Sequence, residues 1–158
     1  MVTVSDSRSG RTGVDVSGPA VEAALEAAGF TIDGRGSVVD DLDAIRVMVQ
    51  RLAGSHDLVV TTGGTGISPR DHTPQATEAL ADYLVPGMAE EMRRAGREST
   101  PMAVLSRGHV AVVGRCLVVN LPGSPAGATE SLAAIIDVLP HALDQLAGEP
   151  GHPTAPPT

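Results

Sequence analysis

Short apolar runs alternate along the chain with longer stretches in which apolar residues recur every three or four positions. The runs are typical of buried strands, and they cover residues 2–5, 58–60, 110–113 and 117–119. A further strand is predicted at residues 30–39, interrupted by Gly34 and Gly36. The longer stretches are typical of amphipathic helices, and they begin near Ser17, Asp41, Pro74, Met88 and Pro125. Because strands alternate with helices, the pattern predicts an α/β fold of three layers (α/β/α), with a mostly parallel sheet and helices on both faces.

Turn-forming residues predict where these elements begin and end. Ser17, Thr73 and Ser124 are predicted helix N-caps, because a hydroxyl oxygen can accept a hydrogen bond from a free N–H group of the first turn. Gly114 lies between two apolar runs, where it predicts a hairpin turn. The last helical stretch contains Pro140, which predicts a kink there.

Length and composition indicate one globular domain. At 158 residues, of which 42% are hydrophobic, the chain is long enough to bury a sizeable core. We place this domain at residues 1–147. Residues 148–158 are rich in proline and lack apolar anchors, so we expect a disordered tail there.

Charge and cysteine content argue against several classes of protein. The formal net charge of -8 argues against nucleic acid as a partner, since nucleic-acid binding needs a basic face. The lone Cys116 excludes an intramolecular disulfide and a thiolate metal cluster. No apolar run approaches the roughly 18 residues of a membrane span, and the first residues do not resemble a signal peptide. We therefore expect no membrane association and a cytoplasmic location.

A glycine-rich loop follows the apolar run at residues 58–60. Residues 61–66 read Thr-Thr-Gly-Gly-Thr-Gly, and a helix start follows at residues 73–74. Glycine permits positive φ and lets successive backbone N–H groups turn inward, so such a loop can cradle a phosphate group. The loop is neither a Walker A motif nor G-x-G-x-x-G, and a tight turn without a ligand explains the glycines equally well.

Three polar loops follow predicted strands, at residues 5–13, 61–70 and 120–124. The carboxyl ends of parallel strands meet at one edge of an open sheet, where such folds bind their ligands. The three loops could therefore hold one extended ligand with more than one phosphate group. The alternative is that their glycine, serine and proline reflect only the needs of strand-to-helix turns.

Two carboxylates are expected at this edge. Asp71 follows the glycine loop next to Arg70, and Asp40 follows the preceding predicted strand. Carboxylate and phosphate oxygens suit Mg²⁺, which would neutralise charge during phosphoryl or nucleotidyl transfer. Helix capping is the alternative; we favour it for Asp41 and favour a functional role for Asp71.

Other charged and polar groups are more ambiguous. Ser106 and Arg107 could reach the same edge as a hydroxyl and a cation, although a solvated loop explains them as well. Arg93 lies on a helix rich in both charges, so we interpret it as part of a solvated face. The five histidines lack the spacing of a metal site.

Seven short motifs together resemble one known family. In chain order they are Thr-Val-Ser-Asp-Ser (3–7), Asp-Val-Ser-Gly-Pro (15–19), Thr-Thr-Gly-Gly-Thr-Gly (61–66), Arg-Asp-His-Thr-Pro (70–74), Pro-Gly-Met (86–88), Leu-Ser-Arg (105–107) and Asn-Leu-Pro-Gly-Ser (120–124). The set covers about residues 2–147 and resembles the molybdopterin-binding domain of the MogA/MoaB type. That domain is similar to the amino-terminal domain of gephyrin and to the plant Cnx G domain.

The resemblance implies a homotrimer of three-layer α/β/α domains that binds molybdopterin, a pterin dithiolene phosphate. It implies molybdopterin adenylyltransferase activity in molybdenum cofactor biosynthesis, in which the molybdopterin phosphate attacks the α-phosphate of Mg-ATP and pyrophosphate leaves. A MoeA-type molybdenum insertase would act on the product. The alternatives are a MoaB-like binding or carrier protein without catalysis, and a scaffold that works through its trimer interface.

The resemblance also assigns roles to individual residues. Asp40 and Asp71 match the catalytic carboxylates and would bind Mg²⁺. The family pattern has a proline where this chain has Val39, so Asp41 remains an alternative for the first acid. The implied substrate-binding residues are Ser5, Asp6, Thr62, Gly63, Gly64, Thr65, Gly66, Ser106, Arg107, Pro122, Gly123 and Ser124.

Overall fold

The computed structural model describes residues 1–5 and 15–148, and within them the chain forms six strands and six helices. The strands are β1 (Val2–Ser5), β2 (Gly36–Val39), β3 (Leu58–Thr62), β4 (Tyr83–Leu84), β5 (Val110–Val113) and β6 (Cys116–Leu121). The helices are α1 (Ser17–Ala27), α2 (Leu42–Ala53), α3 (Thr73–Glu78), α4 (Pro86–Ser99), α5 (Pro125–Ala133) and α6 (Leu139–Ala147), with 3₁₀ segments at Pro101–Leu105 and Ile136–Val138. Asp6 and residues 149–158 lie outside the described residues, so the role of Asp6, the domain bounds and the disordered tail stay predictions.

The strands form one sheet in the order β2-β1-β3-β6-β5-β4. β2, β1, β3 and β6 run parallel, whereas β5 is antiparallel to both β6 and β4. β3 and β6 pair along the full length of β3, from Leu58 opposite Leu117 to Thr62 opposite Leu121. The carboxyl ends of these two strands therefore lie side by side, and the predicted mostly parallel sheet is confirmed.

Helices cover both faces of the sheet. Successive strand residues point to opposite faces, so Val60 packs with α1, α4 and α5 on one face while Val59 packs with α2 and α3 on the other. Ile45 and Val49, one turn apart on α2, are fully buried against that second face. Leu132 of α5 is fully buried in the first layer. The predicted three-layer fold is confirmed.

Two predicted elements have different bounds in the structure. β2 begins at Gly36, because it is an edge strand that pairs only with β1, and that pairing starts with Val2 opposite Gly36. The predicted long last helix is interrupted by the 3₁₀ segment Ile136–Val138, and α6 starts at Leu139. Pro140 thus lies in the first turn of α6, where its missing N–H costs no hydrogen bond, and the predicted kink is wrong. No described helix is both long and apolar enough to cross a membrane.

The helix caps were only partly predictable. Ser124 caps α5, since its hydroxyl accepts a hydrogen bond from the N–H of the third helical residue at 3.3 Å. The predicted caps Ser17 and Thr73 are wrong, because each is the first residue of its helix and not the residue before it. At α1 the side chain of Asp15 serves instead, and its Oδ1 accepts a hydrogen bond from the N–H of Gly18 at 2.9 Å.

Candidate functional site

A cleft of about 420 Å³ opens at the carboxyl ends of β3 and β6. The glycine loop after β3 and the loop after β6 line it on one side, and α4, α5 and the 3₁₀ segment Pro101–Leu105 line the rest. A smaller cavity of about 300 Å³ lies beside the start of β3 and includes Phe30 and Leu58, but it contains none of the predicted site residues. The carboxyl-end cleft is therefore the candidate site.

The predicted site residues fall into three groups. Those that line the cleft are Gly64, Thr65, Gly66, Asp71, Ser106, Pro122, Gly123 and Ser124. Those that lie outside its described lining are Ser5, Asp40, Thr62, Gly63 and Arg107. Asp6 falls in the segment that the structure does not describe. The sequence therefore predicted two of the loops that border the cleft.

Glycine is required where the neighbouring strands and loops meet. Gly63 and Gly64 have φ of +96° and +64°, in the left-handed region that strains other residues. A β-carbon on Gly63 would collide with the carbonyl oxygen of Val4, and one on Gly64 would lie 2.5 Å from Oδ2 of Asp40. A β-carbon on Gly123 would lie 3.2 Å from Cα of Gly63. The end of β1 and the loops after β3 and β6 are thus packed together, as predicted.

In the glycine loop, the carbonyls of Gly63 and Gly64 accept hydrogen bonds from the protein, whereas the N–H groups of residues 64–66 donate none to the part of the chain that the structure describes. The Thr73 hydroxyl and N–H donate to the carbonyls of Gly63 (2.9 Å) and Gly64 (3.2 Å), and the Gly63 N–H donates to Leu121 (3.1 Å). Among the described residues, no protein acceptor takes a hydrogen bond from the N–H groups of residues 64–66. Successive free N–H groups in a fixed loop form a concavity that suits an anion.

The carboxylate of Asp71 lies beside this loop and lines the cleft. Its Oδ2 accepts a hydrogen bond from the N–H of Ser68 at 3.0 Å, and a β-carbon on Gly66 would lie 2.8 Å from the same oxygen. The short turn between Ser68 and Asp71 therefore fixes where the carboxylate points. One acid and one set of backbone donors thus border the same space.

Asp40 and Asp41 have different partners. Oδ1 of Asp40 accepts a hydrogen bond from the N–H of His72 at 2.9 Å, so this acid lies against the residue that follows Asp71. Asp41 precedes α2, and its Oδ1 accepts a hydrogen bond from the N–H of Ala44 at 3.0 Å. The capping role predicted for Asp41 is confirmed, and Asp40 is the acid that faces the glycine loop.

The donor set fits a divalent cation that arrives with a phosphate ligand. Mg²⁺ prefers oxygen ligands and usually binds one or two carboxylates together with phosphate oxygens and water. Asp40 and Asp71 offer carboxylates next to the glycine loop. Across residues 1–5 and 15–148, no group of three or more Asp, Glu, His or Cys residues is placed to hold a metal. Each acid is therefore an oxygen ligand of the kind that Mg²⁺ prefers, and the other ligands would come from phosphate and water.

Arg93 was missed by the sequence interpretation. It lines the cleft, and its Nη1 donates a hydrogen bond to the carbonyl of Gly108 at 3.2 Å, so the prediction of a solvated face is wrong for this residue. Its neighbour Arg94 does lie on such a face, where it pairs with glutamates one turn away. The spacing along α4 could have indicated this position, since Arg93 lies four residues after the buried Ala89 and so shares its side of the helix.

A polar cluster holds the start of α1 against β1. The Thr3 hydroxyl donates to Oδ2 of Asp15 at 2.6 Å, while the Ser17 hydroxyl and the Gly18 N–H donate to Oδ1 at 3.2 Å and 2.9 Å. Burial acts to raise the pKa of Asp15, but these hydrogen bonds outweigh it and hold the pKa below its ordinary value. The folded state therefore favours the ionised carboxylate.

Replacing Asp15 by alanine should lower the free energy of unfolding at pH 7 by about 1–2 kcal/mol. Because folding lowers the pKa of Asp15, the carboxylate stabilises fully above its unfolded pKa and loses that effect as the pH falls through its folded-state pKa. Urea unfolding of both proteins from pH 7 down to about pH 2 measures the difference, which should shrink with acidification. A difference that stays constant over this range would contradict the prediction.

Three comparisons with known proteins agree with one another. A family model described as a probable molybdopterin binding domain matches residues 1–141. A molybdenum cofactor biosynthesis bifunctional protein of Synechococcus elongatus is 37% identical over 149 residues, which are 94% of this chain and 47% of that protein. A molybdopterin adenylyltransferase of Helicobacter pylori is 38% identical over 113 residues, which are 70% of this chain and 64% of that protein.

A solved structure from molybdopterin biosynthesis is also similar to this chain. The crystal structure of the molybdopterin biosynthesis enzyme MoaB from Thermus thermophilus matches with a TM-score of 0.87 and 44% identity, over 96% of both chains. The two curated relatives are longer than the matched region, and the chain spans less than two thirds of the length of either.

Proposed function

Because the chain belongs to the family of molybdopterin-binding domains, we propose that it is a molybdopterin adenylyltransferase of molybdenum cofactor biosynthesis. In the proposed reaction, an oxygen of the molybdopterin phosphate attacks the α-phosphate of ATP, the bond to the β-phosphate breaks, and pyrophosphate leaves. One observation carries the proposal: free backbone N–H groups and the carboxylate of Asp71 border a single cleft. A relative that carries this activity in its name supports it.

Two backbone features would hold the phosphate groups. The N–H groups of residues 64–66 would bind one of them, since no described protein acceptor takes their hydrogen bonds. The first turn of α5, capped by Ser124, lines the same cleft. The positive end of this helix would bind a second phosphate group. Holding two phosphates close together is the main requirement for transfer between them, because positioning replaces a bimolecular encounter.

The two acids would hold Mg²⁺ and keep it beside the phosphates. When bound, Mg²⁺ supplies positive charge that neutralises the phosphate oxygens during transfer. The N–H of Ser68 fixes the carboxylate of Asp71, and the N–H of His72 fixes that of Asp40. These hydrogen bonds would set the direction of the acids before substrate arrives.

The far side of the cleft suits a flat heterocycle. Ala89, Met92 and Met102 give it apolar surface, and Arg93 and Glu130 add a cation and a carboxylate. Ligand sites combine an apolar lining with a few polar groups that fix orientation. We infer that the pterin ring of molybdopterin lies against this side, with its phosphate toward the glycine loop.

Release of pyrophosphate tests the proposal. With Mg-ATP, the protein should release pyrophosphate only when molybdopterin is added, at one equivalent per adenylyl-molybdopterin formed. Molybdopterin binding without release, measured at saturating Mg-ATP, would refute the enzyme and leave a binding or carrier protein.

We also propose a homotrimer that delivers its product to a MoeA-type molybdenum insertase, in the cytoplasm where ATP is available. Both parts of this proposal rest on membership of the molybdopterin-binding family. Light scattering should give three times the chain mass of 16.1 kDa. A monomer at all concentrations would contradict the trimer.

A further inference from the structure

We propose that Arg107 is a positioning residue, which holds Asp71 in place through main-chain carbonyl groups and makes no contact with substrate. The inference rests on the proposed function, since Asp71 has its catalytic role there. Arg107 follows the 3₁₀ segment Pro101–Leu105 by two residues and is half-buried. It lies next to the cleft but outside its described lining.

Three hydrogen bonds join Arg107 to the glycine loop and to the turn that carries Asp71. Its Nε donates to the carbonyl of Gly66 at 2.6 Å, and its Nη2 donates to the carbonyl of Asp71 at 2.9 Å. Its backbone N–H donates to the carbonyl of Thr65 at 2.8 Å. A single guanidinium thus connects the two ends of the segment from residue 66 to residue 71.

Most side chains of that segment lie at the surface. Ile67 is 66% exposed, and Pro69 and Arg70 are also exposed, so burial contributes little to its order. Inside the segment, the N–H of Ser68 donates to Oδ2 of Asp71 at 3.0 Å, and the N–H of Asp71 donates to the carbonyl of Ser68 at 3.0 Å. The direction of the carboxylate depends on the shape of this turn, and Arg107 holds the turn at both ends.

The chemistry of the contact requires arginine. A guanidinium is planar and presents N–H groups in a rigid fork, so it can donate to two carbonyls at once. A lysine ammonium keeps the charge but is a compact group on a flexible stem, and it cannot reproduce that fork. Arg107→Lys therefore separates a positioning role from a purely electrostatic one.

The test compares Arg107→Lys with wild type and with Arg115→Lys as a matched control. Arg115 also donates from Nη2 to a carbonyl, that of Ala147 at 2.8 Å, but it lies in the exposed β5–β6 turn away from the cleft. Two sets of quantities are measured: amide hydrogen exchange of Ser68, Asp71 and His72, whose N–H groups are hydrogen-bonded, and kcat and KM for molybdopterin-dependent pyrophosphate release from Mg-ATP. Exchange in α2 serves as a check that each variant is folded.

In Arg107→Lys, we expect exchange at Ser68, Asp71 and His72 to rise about tenfold and kcat to fall about 10- to 100-fold. KM for molybdopterin should stay within about threefold, because the residue does not touch the substrate. Arg115→Lys should match wild type in all of these measurements.

Three results would overturn the inference. One is wild-type exchange in Arg107→Lys; a second is faster exchange with unchanged kcat; the third is a raised KM with unchanged kcat, which would mean that the cation acts on the ligand. The exchange measurement needs no activity. If the wild-type protein releases no pyrophosphate, the proposed function fails, and unchanged exchange in Arg107→Lys would still overturn the positioning role separately.

Discussion

Replacing Asp71 by asparagine should reduce molybdopterin-dependent pyrophosphate release by about 100- to 1,000-fold. Asparagine keeps the size of the side chain and an oxygen that can accept the hydrogen bond from the N–H of Ser68, so the turn should survive. What is lost is the negative charge that would hold Mg²⁺ beside the phosphates. Molybdopterin affinity should change only a few-fold, because the backbone N–H groups of residues 64–66 remain in place.

The neighbouring acids supply the controls for this experiment. Asp40→Asn should also lose activity, since that acid lies against the glycine loop. Asp41→Asn should retain activity, because asparagine caps a helix about as well as aspartate and the side chain faces the start of α2. Steady-state pyrophosphate release measures the activity of each variant, and equilibrium dialysis measures its affinity for molybdopterin. Full activity in Asp71→Asn, or loss in Asp41→Asn alone, would show that the acids are wrongly assigned.

Replacing Gly63 by alanine should destabilise the protein by about 3 kcal/mol or more. The residue has a φ of +96°, and the added β-carbon would collide with the carbonyl oxygen of Val4 in the adjacent strand. A backbone atom inside a paired sheet cannot move aside as a flexible side chain can. The loop would have to shift away from β1, so the phosphate site should be lost together with stability.

Gly114 provides a matched substitution without the collision. Its φ is +62°, also left-handed, but a β-carbon there would have no described heavy atom within 4 Å. Gly114→Ala should therefore cost only the strain of the left-handed backbone, about 1 kcal/mol. Urea unfolding of both variants measures the difference. Equal destabilisation would show that the contact between Gly63 and β1 is not what constrains the loop.

Local patterns in the sequence were sufficient to predict the three layers of the fold. The apolar period of α2, with Ile45 and Val49 on one side, predicts a buried face. Strand pairing partners are not local in sequence, and this explains the errors in strand bounds. β2 is short because its only partner pairs from Val2 onward, and β4 has two residues, too few for any period to appear.

The candidate site likewise contains residues that the local sequence predicted and contacts between distant residues that it did not predict. The glycines and Asp71 lie in one continuous stretch, so their composition alone suggested a phosphate loop. Arg107 and Arg93 donate hydrogen bonds to carbonyl groups distant in sequence, those of Gly66 and Gly108, and the local sequence does not indicate these partners. The different hydrogen-bond partners of Asp40 and Asp41, the N–H groups of His72 and Ala44, are likewise not indicated by the sequence.

The crystal structure of the protein with bound molybdopterin tests the central claim most directly. The phosphate should lie within hydrogen-bond distance of the N–H groups of residues 64–66, with the Asp71 carboxylate beside it and the pterin ring against α4. Molybdopterin in the cavity lined by Phe30 and Leu58, or with its phosphate away from the glycine loop, would contradict the claim.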